Sequence, residues 1–551
     1  MVLWFKVVAL FLLVLLRAIE GQASLTQANP RKVSNILVKL PQKPATKELW
    51  VETKWFRVEI ASEGGHIRSF FHRDLDYALR DNIALTDPES WPMQVYFWPN
   101  ASREELQKAS YELSKRETPD EIIVQATLPV ILVLEGGKPK VEALFEKTYA
   151  FRKNQHFWRF TFSLATRDIR ENVRISPVVF YPISVVGPAP DEKSPRSAQT
   201  RYAFVHEDGD FHIIYLGQGN SFLGCSPSSQ GNQKFEGKVD FFGLSSRFMM
   251  VGVQPTLTSS TLHYFSQNLE NPQLHLEIPY LDITPGKKAE QSFIFYTGPK
   301  VGDYLSPKSA HNQTLPYRQQ LHKDLYKGFD FGITAPIRDL IVLVLDFFYR
   351  LIPNYGVGII LFALLFKVLF YRLNQKQAES MKKMSDLQPK IQEINEKYRD
   401  NPQEKNRRLM LLYQEHKINP MGGCLPILIQ IPIFIALYSA FSDSYELWKS
   451  PFIRGWVDDL SEPDIVYVIP IFGGFSLHLL PILMTLTQFL QTKLTMFTGD
   501  ENQRRLMLLM PFLMLVFFWS MPSGVVLYWT VQNILSILQQ LWTNFRTSKA
   551  T

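Results

Sequence analysis

The sequence predicts an α-helical polytopic membrane protein, five core spans plus an N-terminal span, with a large all-β domain outside the membrane. Three observations predict it. Long apolar stretches cluster after residue 335 of the 551-residue chain, while residues 24–330 are mixed and polar, a contrast that the mean hydropathy of −0.08 averages away. Between about Trp50 and Tyr296, apolar and polar residues alternate with period two, as in strands buried on one face. Lysines and arginines sit beside the apolar stretches with a strong bias to alternate sides.

The N-terminus comes first. Val2–Leu16 is apolar apart from Lys6, and Arg17 and Glu20 follow. Residues 1–23 read either as a signal peptide, with Gly21 and Ala23 near a cleavage point, or as a short anchor whose Lys6 reaches the cytoplasmic surface. Both readings send the next segment across the membrane. Residues 24–50, rich in Gln, Asn, Pro, Lys and Ser, read as a linker.

The β region is punctuated by Gly64-Gly65, Gly136-Gly137 and Pro285-Gly286. Phe56, Val58 and Ile60 alternate with charged neighbours; Trp158, Phe160, Phe162 and Leu164 do so with polar ones, as do Leu274, Leu276 and Ile278. A large antiparallel sandwich follows, within a domain of residues 24–330 that includes its flanking linkers. Residues 301–332 form a polar connector. Within 331–354, Ile337–Ile352 places Asp339, Asp346 and Arg350 near one helical face, the pattern of a helix lying in the membrane interface; a further span is the alternative.

The core spans, within 355–541, are Tyr355–Tyr371, Cys424–Phe441, Ile465–Leu490, Leu506–Met521 and Gly524–Leu541, with Met521-Pro522-Ser523 as a tight turn between the last two. Residues 375–418 read as a helical hairpin. Met381, Met384, Leu387, Ile391, Ile394 and Tyr398 recur at helical spacing, then Leu409, Leu412 and His416, with Asp400-Asn401-Pro402 between the two runs. Loop 372–419 carries eleven Lys or Arg, whereas loop 442–464 has six Asp or Glu against Lys449 and Arg454. Positive loops stay inside. The hairpin and the tail 542–551 are therefore cytoplasmic, and the β domain and loop 442–464 are outside.

Two constellations carry the chemistry. Lys367 stands alone in its span, one turn from the cytoplasmic end, and an ionisable residue there is costly unless it is hydrated or at the surface. It either lines a polar site or snorkels. The last span is loaded with Trp529, Gln532, Asn533, Ser536 and Gln540 on one face. Lipid cannot satisfy these groups. They face either a wet cavity or neighbouring helices, where each bond contributes roughly 0.6 kcal/mol. Gln430, Tyr438 and Ser439 mark Cys424–Phe441 more weakly, and ten of the fourteen methionines lie after residue 380.

Other classes find little support. No GxSxG, HExxH, P-loop or paired-cysteine motif occurs. The two cysteines, Cys225 and Cys424, sit in regions of different character, which argues against a disulfide. A net charge of +7 concentrated beside apolar spans points to membrane topology, with no direct nucleic-acid binding. No internal repeat of the kind expected in a solute transporter is evident. A carbohydrate-active membrane-anchored protein would need a facing pair of carboxylates, which one sequence does not reveal.

Leu387-Gln-Pro-Lys-Ile-Gln392, Asn419-Pro-Met-Gly-Gly-Cys-Leu-Pro426, Gln430-Ile-Pro-Ile-Phe-Ile-Ala-Leu-Tyr438, and Phe518-Trp-Ser-Met-Pro-Ser-Gly-Val-Val-Leu-Tyr528 with Asn533 occur in that order. In this order they resemble the bacterial YidC insertases, strongly over 355–541 and through placement and strand pattern over 40–330. The resemblance implies a non-enzymatic insertase and chaperone of the bacterial inner membrane, without cofactor or metal. It implies a periplasmic β-supersandwich and a retained first span, which places the N-terminus in the cytoplasm. Its partners would be nascent membrane proteins, membrane lipids, the Sec translocon and the ribosome. It also implies a hydrophilic groove open to cytoplasm and lipid, here Lys367, Gln430, Trp529, Gln532, Asn533 and Ser536. Substrates would slide out along Phe434, Tyr438, Phe517 and Tyr528. The sequence departs from the pattern at one place: Lys367 aligns with a groove arginine, and Ala363 with an often hydroxylated position.

Overall fold

A computed structural model describes residues 31–38, 48–73, 83–84, 93–97, 103–135, 140–166, 169, 172–175, 178–183, 202–215, 233–256, 260–265, 273–301, 324–325, 335–372, 375, 387–399, 401–416, 425–469, 475–494 and 501–550. The expected N-terminal span, 1–23, lies outside the described residues, as do both cysteines. The chain divides into two compact units, Met1–Gly328 and Phe329–Thr551.

The first unit is built on a twelve-stranded sheet whose centre is formed by Glu121–Leu134, Lys140–Arg152, Phe157–Thr166 and Ala289–Pro299, all antiparallel. The long central hairpin buries Ile122, Val124, Ala126, Leu128, Val130, Leu132 and Leu134 at every second position, while the residues between them stay more open. A five-stranded sheet covers part of this face. Phe180 from its strand Val178–Ile183 packs on Phe160 and Phe293, with ring centroids 5.2 and 4.5 Å apart. A four-stranded sheet contributes Phe70, which meets Phe151 and Trp158. Phe56, Val58, Ile60, Trp158, Phe160, Phe162, Leu164, Leu274, Leu276 and Ile278 are all buried, as the alternation required.

Two expectations are corrected here. The segment read as a linker, 24–50, contains the strand Arg31–Val38, which pairs antiparallel with Glu121–Leu134 and parallel with Val173–Ile175. Its Val33, Ile36 and Leu37 are dispersed among polar residues, and its two pairings, both long-range, leave no local signal. The polar connector also touches the sheet, because Leu325 is buried and lies close over Gly252.

In the second unit, α1 (Ala335–Leu351) is followed by α2 (Tyr355–Leu369) after a bend of 119°. Asn354 makes the turn. Its side chain accepts from the Val357 amide at 3.1 Å, capping α2, and donates to the Phe452 carbonyl at 3.0 Å. Helices α3 (Gln388–Lys397) and α4 (Pro402–Glu415) form the expected hairpin, closed by Leu387, Ile391, Ile394 and Leu412. Helices α5 (Leu425–Asp443), α6 (Leu479–Leu494), α7 (Glu501–Phe518) and α8 (Ser523–Ala550) complete the unit, and α8 packs chiefly on α6 and α2.

Among the described residues, no single helix is both long and apolar enough to cross a membrane by itself; α1 and α2 reach that together but are bent. The run Ile465–Leu490, read as one span, is not one helix. Residues Tyr467–Ile469 and Phe475–Leu477 form a two-stranded ribbon, and α6 starts only at Leu479. Hydropathy alone missed this. The segment is rich in β-branched and aromatic residues, and Pro470 and Gly473-Gly474 interrupt it. Loop 442–464, expected to be simply polar, is folded. Tyr445, Leu447, Trp448, Val457 and Leu460 are buried in it. Its Leu460 and Glu462 carbonyls accept from the Gly524 and Ser523 amides at the start of α8, each at 2.8 Å.

Candidate functional site

Lys367 lies in the last turn of α2, and its Nζ donates to Ser536 Oγ of α8 at 2.8 Å. Ser536 Oγ donates in turn to the Gln532 carbonyl, one turn back, at 2.7 Å. The Gln532 amide reaches across to the Ala363 carbonyl at 2.9 Å. Residues 363 and 367 on α2 and 532 and 536 on α8 are each four apart, so one i,i+4 face of each helix meets the other. Lys367, Gln532 and Ser536 are partly buried. Among the described residues, no carboxylate lies within ion-pair distance of Lys367, so its partners are a hydroxyl and whatever solvent reaches it. Ala363, without a polar side chain, contributes its backbone oxygen.

Asn533 does not join this group. Its amide donates toward the Met484 carbonyl at 3.4 Å and Thr487 Oγ1 at 3.3 Å, both on α6. Gln540 likewise donates to the Leu494 carbonyl at 3.0 Å. The polar stripe expected on one face of α8 is thus shared between two neighbours, with Gln532 and Ser536 toward α2 and Asn533 and Gln540 toward α6. Helical spacing gives the stripe but not its partners, and a stripe broader than one contact line spills onto the next helix.

Trp529 belongs to an aromatic group. Phe434 of α5 has Trp529 at 5.6 Å and Phe518 of α7 at 6.1 Å, and Phe517 lies 6.5 Å away. This brings Phe434 and Phe517 together, with Phe517 exposed at its outer edge, and Tyr438 lies one turn along α5. Tyr528 is elsewhere. It is buried against Phe362 and Phe366 of α2, and its hydroxyl is 3.5 Å from the Gln532 amide. The side chain of Gln430 lies outside the described residues.

Sequence reasoning missed the residues that fix the opposite, loop-side end of these helices. Asp464 accepts from the Leu479 and Leu480 amides at 2.9 and 2.8 Å and from Trp456 Nε1 at 3.1 Å, which caps α6. Its backbone carbonyl also contacts His478 Nδ1. Gly356 has Phe452 directly against it, and Gly524 has the Leu460 carbonyl and Phe441 close by. The available signals were an acid at the end of the polar loop and glycines within apolar runs.

Two family profiles match the chain, "60Kd inner membrane protein" over residues 347–550 and "YidC periplasmic domain" over residues 48–344. The membrane protein insertase YidC of Leptospira interrogans serovar Lai is 34% identical over 544 residues, covering 91% of this chain and 86% of the relative. That of Syntrophus aciditrophicus is 30% identical over 547 residues, covering 95% and 89%. Among solved structures, an active YidC insertase with its first transmembrane domain resolved aligns over 93% of this chain and 95% of that chain, at 18% identity. Its TM-score is 0.36.

Proposed function

The chain belongs to the YidC family of membrane protein insertases, and from that premise we propose that it works through a hydrated groove between α2 and α8, gated by no bound nucleotide. It is a non-enzymatic insertase of the bacterial inner membrane with a periplasmic β-rich domain, and its substrates are nascent membrane proteins. The observation that carries the groove reading is Lys367. Its cation is held by a hydroxyl alone, with no counter-charge among the described residues, and a cation in hydrocarbon persists only where water or partners solvate it.

In this reading the polar tail of a substrate enters beside Lys367, Gln532 and Ser536, which shortens the hydrocarbon path it has to cross. Its apolar segment then leaves along the aromatic group of Phe434 and Phe517. Transfer into lipid is driven by burial, at roughly 25 cal/mol per Å² of apolar surface. Five core spans and a retained N-terminal anchor are what the family implies, and the charge bias orients them with both termini inside. The Sec translocon and the ribosome are the further partners that the family implies. A second reading has a specific observation behind it: Asn533 and Gln540 stitch α8 to α6 backbone carbonyls, so part of the stripe is structural.

The test is insertion by the reconstituted full-length chain of a two-span reporter whose short tail is acidic. Lys367→Arg should retain insertion, and Lys367→Ala should retain part of it. Unchanged insertion by Lys367→Glu would reject the groove and leave the stitching role.

A further inference from the structure

The ribbon between loop 442–464 and α6 has no place in the mechanism above. Its strands pair Tyr467 with Leu477, Val468 with Ser476 and Ile469 with Phe475, and the Val466 amide donates to the Leu477 carbonyl at 3.0 Å. Four consecutive apolar residues at its entry are open: Ile465 45%, Val466 44%, Tyr467 62% and Val468 49% exposed. Successive side chains in an extended segment point to opposite faces. The first strand and its entry are therefore apolar and uncovered on both sides, a costly arrangement in water, where isolated two-stranded ribbons are marginal.

A docked protein would cover one face and leave the other bare. A lipid environment surrounds both. The ribbon also continues an apolar stripe, Leu479, Leu483, Leu486 and Leu490, that runs exposed down α6. Depth is bounded from the other side. The sheet has only two strands, so each strand has a ladder partner on one edge alone, and the other edge needs water or headgroups. Its base is fixed at the polar boundary by Asp464, which is buried and bonded to the first amides of α6.

We propose that the ribbon of Tyr467–Ile469 and Phe475–Leu477 is a membrane-interface anchor, seated among the headgroups and upper acyl chains of the outer leaflet, where Tyr467 takes the position that interfacial tyrosines favour. The proposal rests on the topology given above, with α6 in the membrane and its N-terminus outward. By holding the start of α6 at a set depth, the ribbon fixes the helix to which Asn533 is bonded.

Environment-sensitive fluorophores at Val468→Cys and, separately, Leu486→Cys in a Cys225→Ser/Cys424→Ser background test it, in full-length protein reconstituted in phosphatidylethanolamine–phosphatidylglycerol vesicles. Quenchers are placed on lipids near the headgroup, on lipids near the chain ends, or in the buffer as iodide. The expected result is that the 468 probe is quenched most by the shallow lipid label and the 486 probe most by the deep one. If iodide alone quenches 468 while 486 answers to lipid, the ribbon stands in water and the anchor is refuted with the topology intact. If 468 is shielded from all three while 486 answers to lipid, protein covers the ribbon, which also refutes it. If 486 answers to no lipid label, the topology itself fails and the anchor with it.

Discussion

At the scale of single residues, side-chain identity was readable from sequence where a rule about cost applied, and partners were not. Lys367 stood out because a lone cation in an apolar run needs a reason. That its amine meets Ser536 required knowing which face of α8 turns toward α2. Gly356 stood in an apolar run with nothing in the sequence to name its neighbour, yet a Cβ there would lie 2.1 Å from Phe452 Cδ2. Gly356→Ala should lower stability by about 1–3 kcal/mol, the usual penalty of overpacking, seen as a lower thermal midpoint of the solubilised protein. Two buried histidines of the β domain give a pH dependence. Burial, with Lys147 adding like charge, pulls His66 down to about 4, and burial pulls His72 down to about 3. Both folded values lie below the ordinary 6.5, so the unfolded chain takes up protons that the folded one refuses. Stability is then intact above pH 6.5 and falls toward pH 4, by about 1.4 kcal/mol per pH unit for each histidine. Lys147, pulled down to about 7 by burial, exerts its own effect between pH 10.5 and 7 and adds no slope below that. Amide exchange of Phe157–Thr166 in the full-length chain should lose protection from pH 6.5 to 4.5, and His72→Leu should weaken that loss.

At the scale of elements, period-two alternation gave strands such as Phe157–Thr166, where Arg159 and Thr161 stay more open between the buried Trp158, Phe160 and Phe162. It failed for Arg31–Val38, whose pairing is long-range, and hydropathy failed for the ribbon, since an apolar run has no intrinsic secondary structure. Helix α1 is where charge and packing meet. Leu340, Leu343, Phe347 and Leu351 are exposed along it, while Arg338, Ile341 and Leu345 are buried. Arg338 donates to Asp339 at 2.8 Å and to Ser444 Oγ at 3.3 Å, at the C-terminal end of α5, where a cation is favoured. Removing it should free α1 from α5. Hydrogen exchange of residues 335–351 should rise at least several-fold in Arg338→Ala, with α6 and α8 unchanged. Uniform protection in both proteins would show that apolar packing alone holds α1. The β domain is expected to be dispensable for a small substrate, since the candidate groove lies wholly in the second unit. Because Arg31–Val38 is a strand of its sheet, a clean deletion has to begin before residue 31 and not inside the sheet. Loss of insertion by such a protein, stably produced and retaining its N-terminal segment, would contradict this.

At the scale of the whole molecule, the charge bias and the family agree on an inner-membrane insertase, and the orientation of each loop is the next point to test. A cysteine at Ser461 is a poor reporter because that side chain is fully buried; Arg454 and Glu396 are exposed. In a Cys225→Ser/Cys424→Ser background, Arg454→Cys should react with an impermeant maleimide from outside intact cells and Glu396→Cys only after the membrane is opened. Equal reactivity would overturn the topology. The central claim is that a hydrated cation between α2 and α8 receives the substrate's polar tail. Its most direct measurement compares two reporters in the reconstituted system, identical but for a short tail carrying two aspartates or none. The account expects Lys367→Glu to insert the acidic-tailed reporter far less well than the neutral one, while the unsubstituted protein inserts both. Equal insertion of the two tails by Lys367→Glu would contradict it.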